Sequence, residues 1–124
     1  MAIKELTAAT FEASIERGIV LVDLWAAWCG PCRAFAPVFE AAAARHPNVA
    51  FAKVNTDTEH RLAGELGIRA IPTLMAFRDG VLVFSNAGVL SGSAIDSLVA
   101  RIEALDMDAI RREVAESVRS RRQA

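Results

Sequence analysis

The sequence of 124 residues has little of what usually carries chemistry: two cysteines, two histidines and an almost balanced formal charge of -1. That balance supplies no overall basic field to recruit nucleic acid or an anionic membrane. No uninterrupted apolar stretch approaches the roughly 20 residues a spanning helix needs, because the longest run, Ile19 to Cys29, is broken by Asp23. The amino terminus carries Glu5, Glu12 and Glu16 beside Lys4 and has no apolar segment leading to a small-residue cleavage site. Export by a secretory signal is therefore not expected, and a cytoplasmic location is. Internal repeats and low-complexity segments are absent as well.

What is present is enough for one domain with a sizeable core, since 53% of the residues are hydrophobic and 23% charged. Both cysteines lie in one stretch, Trp28-Cys29-Gly30-Pro31-Cys32, with a Gly-Pro pair between them. Such a pair reads as a dithiol that can close to a disulfide, and in a reducing compartment a redox or metal role is favoured over a structural bridge. Half of a zinc site is the alternative. Tetrahedral zinc needs four ligands, however, and His46 and His60 lack finger spacing relative to the cysteines. Both histidines read as surface residues without chemistry, given their polar neighbours.

Thr7 or Thr10 can cap a short helix carrying Phe11 and Ile15 and ending at Gly18. Residues 19–25 then run almost without alternation, the pattern of a strand buried on both faces. From Cys32 to His46 the apolar residues follow helical spacing through Pro37, so a kink is expected there and not a break. The dithiol thus falls where a strand passes into a helix. Residues 49–54 form a second buried strand, and Asp57 is positioned to cap a helix that carries Leu62 and Leu66 and stops at Gly67. Thr73 to Phe77 and Val81 to Ser85 read as a hairpin around Asp79-Gly80, which makes the sheet mixed. Ser93 and Asp96 suggest a capping box for a helix whose apolar face is Ile95, Leu98, Val99, Ile102 and Leu105.

Asp23-Leu24-Trp25-Ala26-Ala27-Trp28-Cys29-Gly30-Pro31-Cys32-Arg33, followed by Ile71-Pro72-Thr73 and Gly88, resembles the thioredoxin family over residues 1 to about 105. The resemblance implies an α/β fold with a central mixed sheet flanked by helices on both faces. Leu24 stands where the family usually has an aromatic, and Arg33 where lysine is common; neither departure touches the redox step. The activity implied is reduction of protein disulfides through Cys29 and Cys32, with no bound cofactor. NADPH would enter only through a flavin-containing thioredoxin reductase. A non-enzymatic partner-binding module and a disulfide oxidase or isomerase are the competing readings. The Gly-Pro spacer and the expected reducing location favour a reductase.

Cys29 lies just ahead of a helix start, whose unpaired N–H groups and partial positive charge favour a thiolate. It is the expected attacking sulfur, and Cys32 the resolving one. Asp23 is an ionisable group in an apolar strand, where desolvation should raise its pKa toward the range useful for proton transfer. By the resemblance it moves the proton of Cys32; a buried ion pair with Lys53 kept for structure is the alternative, and both can hold together. The resemblance also implies a cis Ile71-Pro72 bond beside the dithiol, whereas a trans proline opening an edge strand is the bland reading. Trp28, Gly30, Pro31, Ile71, Pro72, Ala87, Gly88 and Val89 correspond to the family's shallow substrate-docking surface. Trp25 reads equally as core packing.

Residues 106–124 extend past the resemblance. Met107, Ile110, Val114 and Val118 form a narrow helical stripe that Asp106 or Asp108 could cap, and residues 110–124 carry five arginines against two glutamates. A separate helix is expected, resting on its own domain, a second copy or a partner; a frayed basic tail is the alternative.

Overall fold

The apolar run at residues 19–25 folds as a strand buried in the middle of the sheet, and the other elements are layered on it. The structure, a computed structural model, describes residues 3–123. In chain order the elements are β1 (Lys4–Glu5), α1 (Phe11–Ile15), β2 (Ile19–Trp25), α2 (Gly30–Arg45), β3 (Ala50–Asn55), α3 (His60–Glu65), β4 (Thr73–Arg78), β5 (Val81–Ala87), α4 (Gly92–Glu103) and α5 (Met107–Gln123). The sheet order is β1-β3-β2-β4-β5. β3 pairs in parallel with β1 and β2, while β4 runs antiparallel to both β2 and β5, so the sheet is mixed as the hairpin signal implies.

Alternation along β2 sends side chains to two cores. Leu21 faces Phe35 and Phe39 of α2 and Ile95, Leu98 and Val99 of α4, while Val20, Val22 and Leu24 face Phe11 and Leu62 on the α1 and α3 side. Phe39 sits between Phe35 and Phe51 at centroid distances of 5.7 and 5.0 Å, and its complete burial contributes about 2–3 kcal/mol. Asp23 shares the odd-numbered parity of Leu21, so it projects toward the α2 face. There it is only 1% exposed.

At the β4–β5 turn, Asp79 and Gly80 both have positive φ, 51° and 84°, as a two-residue hairpin turn with the sheet's twist demands. The Asp79 carboxylate accepts the Gly18 N–H at 2.9 Å and ties this turn to the start of β2.

Several element starts differ from the sequence-based expectation. α2 begins at Gly30, not near Cys32, because Cys29 is its N-cap and Pro31 suits the first turn, where no N–H is needed. Thr10 occupies the N-cap position of α1, but its Oγ1 accepts the Thr7 N–H and caps no helical amide. Asp57 does not cap α3: Glu59 holds that position, and the Asp57 N–H is bound by the side chain of Asn55. The expected Ser93 and Asp96 capping box does not form. Ser91 caps α4 instead, accepting the Ala94 N–H at 3.1 Å, and Asp96 is drawn to Arg45 and His46. β1, two residues long, carries no readable pattern.

The stretch after Glu103 folds as the expected helix α5, capped by Asp106, whose Oδ1 accepts the Asp108 and Ala109 N–H groups. Met107 is buried, and Arg111 reaches Asp79 at 3.7 Å, so the first turns are held to the domain. Further on, Val114 is 46% exposed. Ala124, the last residue of the expected extension, lies outside the described residues, as do Met1 and Ala2.

Candidate functional site

The site stands at the C-terminal end of β2, where the chain leaves the sheet and turns into α2. A Cys29–Cys32 disulfide closes over a separation of three residues, with Cα atoms 5.2 Å apart. This is the oxidised form of the dithiol. Cys29 has extended backbone angles, φ -85° and ψ 112°, and its Sγ accepts the Cys32 N–H at 3.2 Å. That bond satisfies one of the amides that a helix start leaves open, and it places Sγ of Cys29 at the positive end of α2. Cys32 lies within the helix. Exposure does not distinguish the two sulfurs, since both residues are nearly buried, at 4% and 3%.

Around the disulfide, Ala26, Trp25 and Ile71 complete a small apolar cluster. Ile71-Pro72 is a cis peptide, as the resemblance implies, and the Ile71 carbonyl lies 3.9 Å from Cys29 Sγ. Gly88 donates its N–H to the Pro72 carbonyl at 2.8 Å, so the segment Ala87, Gly88 and Val89 is held next to the proline. Gly88 has φ 108°, a conformation that glycine adopts without strain. Gly30, Pro31 and Val89 are exposed around the sulfurs, and Trp28 is 69% exposed. Trp28 is not loose: its indole N–H donates to Asp57 at 3.2 Å. Asp57, expected as a helix cap, serves instead as the strut of the exposed indole. Only the fold could reveal that partner, 29 positions away.

Asp23 and Lys53 are register partners on neighbouring strands and project to the same face. They make no direct ion pair, which corrects that alternative for the lysine. The Lys53 ammonium stands over the Trp25 ring, 4.7 Å from its centroid, and both carboxylate oxygens of Asp23 are buried without a hydrogen-bond partner. Burial raises the Asp23 pKa to about 6; the Lys53 charge opposes the rise, and Glu5 adds to it. Trp25 is half-buried against the disulfide, and its indole nitrogen is also without a partner. It packs in the core and borders the site at once.

His60 is exposed at the start of α3, as expected. His46 is not a free surface residue: its ring is half-buried, lies parallel to Phe51 and meets the Asp96 carboxylate at 2.7 Å. Among the described residues, no group of three or more His, Cys, Asp and Glu side chains is placed to hold a metal ion.

The Thioredoxin family model matches residues 2–103. The chain belongs to the thioredoxin family. It is 43% identical over 113 residues to a putative thioredoxin 2 of Streptomyces coelicolor, a match covering 90% of this chain and 84% of that protein. It is also 37% identical over 100 residues to a thioredoxin of Bacillus subtilis, covering 80% and 96%. Among solved structures, a thioredoxin of Malassezia sympodialis superposes with a TM-score of 0.70 at 30% identity, covering 81% of this chain and 90% of that one. With this membership and the closed cysteine pair, the chain is a dithiol–disulfide oxidoreductase of the protein-disulfide reductase type. α5 is an addition beyond the residues the family model matches.

Proposed function

We propose that the chain reduces disulfides of protein substrates with Cys29 as the attacking sulfur and Cys32 as the resolving one. The carrying observation is the Cys32 N–H directed at Cys29 Sγ at the first turn of α2, which favours negative charge on that sulfur. In the reduced protein, the Cys29 thiolate attacks one sulfur of the substrate disulfide, forms a mixed disulfide and expels the other sulfur as a thiolate. Cys32, deprotonated, then attacks Cys29 Sγ, closes the internal disulfide and releases the second substrate sulfur. Two electrons pass to the substrate, and a thioredoxin reductase returns them to the dithiol, drawing on NADPH. The chain itself needs no resident cofactor.

Asp23 is the proton acceptor for Cys32 in this reading, supported by its burial on the α2 side of β2 and its pKa of about 6. Lys53, over Trp25, holds that pKa below what burial alone would give. Pro72, in its cis linkage, leaves the Ile71 backbone open for an extended substrate segment, which packs on Trp28, Gly30, Pro31, Ala87, Gly88 and Val89. A cytoplasmic setting fits a dithiol that must be kept reduced.

The same reading divides the chain into a redox unit, residues 1–105, and a helical extension, residues 106–124. Beyond its anchored first turns, α5 offers Val114 and Val118 to a second copy and takes no part in the chemistry. Deleting residues 107–124 is expected to preserve insulin reduction and to change oligomeric state or stability. Loss of reduction in a folded truncation would place the helix in the active machinery.

Trapping tests the order of attack. Cys32→Ser should accumulate a mixed disulfide with substrate and Cys29→Ser should not. The opposite pattern reverses the assignment.

A further inference from the structure

Beside the disulfide, on the Trp28 side, a groove of about 370 Å³ opens between α3 and the loop leading into the cis proline. Its walls include Trp28 and Ile71, which also border the dithiol, and its remaining polar side chains are Thr56, His60 and Arg69. The face of α3 turned to it carries His60, Ala63 and Gly64, at spacings of three and four. Small residues keep the groove open: a side chain added at Gly64 would meet nothing within 4 Å.

The groove is chemically one-sided. Arg69 and His60 are exposed, and neither makes a side-chain hydrogen bond or ion pair among the described residues. Asp57 accepts the Trp28 indole N–H and Glu59 accepts the Ala8 N–H, and neither carboxylate lines the groove. An always-charged guanidinium fork and an imidazole therefore face a cavity whose other lining side chains are apolar or small, save Thr56, whose hydroxyl donates to the Trp25 carbonyl.

We propose that this groove is a specificity subsite for an acidic side chain lying close to the reactive cysteine of a protein substrate, its carboxylate held by Arg69 and His60 while Trp28 and Ile71 pack its aliphatic stem. The subsite rests on the redox reading above and deepens it by naming a substrate class. Arg69 supplies the charge complementarity and His60 a second hydrogen-bonding group. Neither touches the exchanging sulfurs. They select which disulfides are presented.

The test is single-turnover oxidation of the pre-reduced protein by three synthetic peptides, each with one internal disulfide and differing only in carrying Glu, Gln or Lys near the attacked cysteine. No reductase is needed, and tryptophan fluorescence reports the reaction. The Glu peptide should react about three- to tenfold faster than the Gln peptide at low ionic strength, with the Lys peptide slowest and the spread narrowing as salt rises. In the Arg69→Gln, His60→Gln double variant the Glu-to-Gln ratio should fall to about one, and Arg69→Lys should keep part of it. The Gln peptide's rate in each variant reports that the site is still folded. A ratio near one in the unaltered protein, or a ratio that survives the double variant, overturns the subsite while leaving the redox reading intact. If no peptide oxidises the protein, the redox reading itself fails and the subsite falls with it.

Discussion

The two ends of α2 are built on opposite plans. At its C-terminal end, polar groups are matched: Arg45 donates to the Asp96 carboxylate at 3.1 and 2.9 Å and to the Gly92 carbonyl at 3.3 Å, and the His46 ring meets the same carboxylate. At its N-terminal end, the buried side-chain atoms left without partners collect: both Asp23 oxygens and the Trp25 indole nitrogen, the latter beside the disulfide. Buried polar groups are normally satisfied, and those that are not invite a functional explanation. One end locks the helix to α4. The other keeps a buried carboxylate without a hydrogen-bond partner on the α2 side of β2, at a cost in stability that the matched contacts elsewhere must offset. The directions of the two pKa shifts follow, since burial raises Asp23 whereas hydrogen bonds from His46 and Arg45 hold Asp96 below the usual carboxylate range.

The largest effect that separates the two ends is on turnover. Cys29→Ser removes the nucleophile and should lower insulin reduction roughly a thousandfold or more, as loss of an attacking group commonly does. No single change at Arg45, His46 or Asp96 should approach it, and the insulin assay on the paired variants checks the contrast directly.

Next in size is Asp23→Asn. Because the folded pKa is about 6 against 3.8 for the free group, the folded protein holds a proton that the unfolded chain has already released between these values. Stability should therefore fall as pH rises through that window and level off above it, a loss on the order of 3 kcal/mol. The variant should lack this slope and be the more stable protein at pH 7, yet resolve mixed disulfides more slowly. Denaturant titrations at pH 4 and pH 7 on the oxidised proteins measure the first expectation. Parallel slopes in both proteins would show that the carboxylate is compensated after all.

This contrast was only half legible in the sequence. Residues 19–25 fold as the strand their apolar run describes, and Asp23 stands out there because a charge in such a run has no other excuse. The dithiol, the helix behind it and the hairpin at Asp79-Gly80 are equally local signals, and they held. Helix starts were less readable, because several short polar side chains compete for the same few amides. Asn55 takes the Asp57 N–H, and Ser91 takes the place that Ser93 also fits. The polar contacts of Asp96 and Asp57 across the chain left no trace. Asp96 looks like half of a capping box until the fold brings Arg45 and His46 to it from about 50 positions away, and Asp57 looks like a cap until Trp28 arrives. Lys53 was readable as a neighbour of Asp23 but not as a cation resting on Trp25, since that depends on the side-chain path above the sheet.

The smallest expected effect tests the matched end. Asp96→Ala takes the shared acceptor from Arg45 and His46, and the guanidinium keeps only its long bond to Gly92. The Arg45 and Asp96 side chains are about two-fifths exposed, so water can replace much of what is lost, and the destabilisation should be smaller than the Asp23→Asn gain. Its pH dependence should have the opposite sense. Since Asp96 is held below its ordinary pKa, it stabilises the fold above the free-carboxylate range, and that contribution fades as pH falls through the range where the folded carboxylate takes up its proton. Wild type and Asp96→Ala should therefore differ at pH 7 and converge in acid, whereas wild type and Asp23→Asn differ at pH 7 with the order reversed. Disulfide reduction by Asp96→Ala should remain within about twofold of wild type, as for a surface change away from the chemistry. A thermal midpoint that is lower for Asp96→Ala at pH 3 by as much as at pH 7 would mean that the carboxylate's charge is not what binds this end of α2, and the contrast between its two ends would have to rest on packing alone.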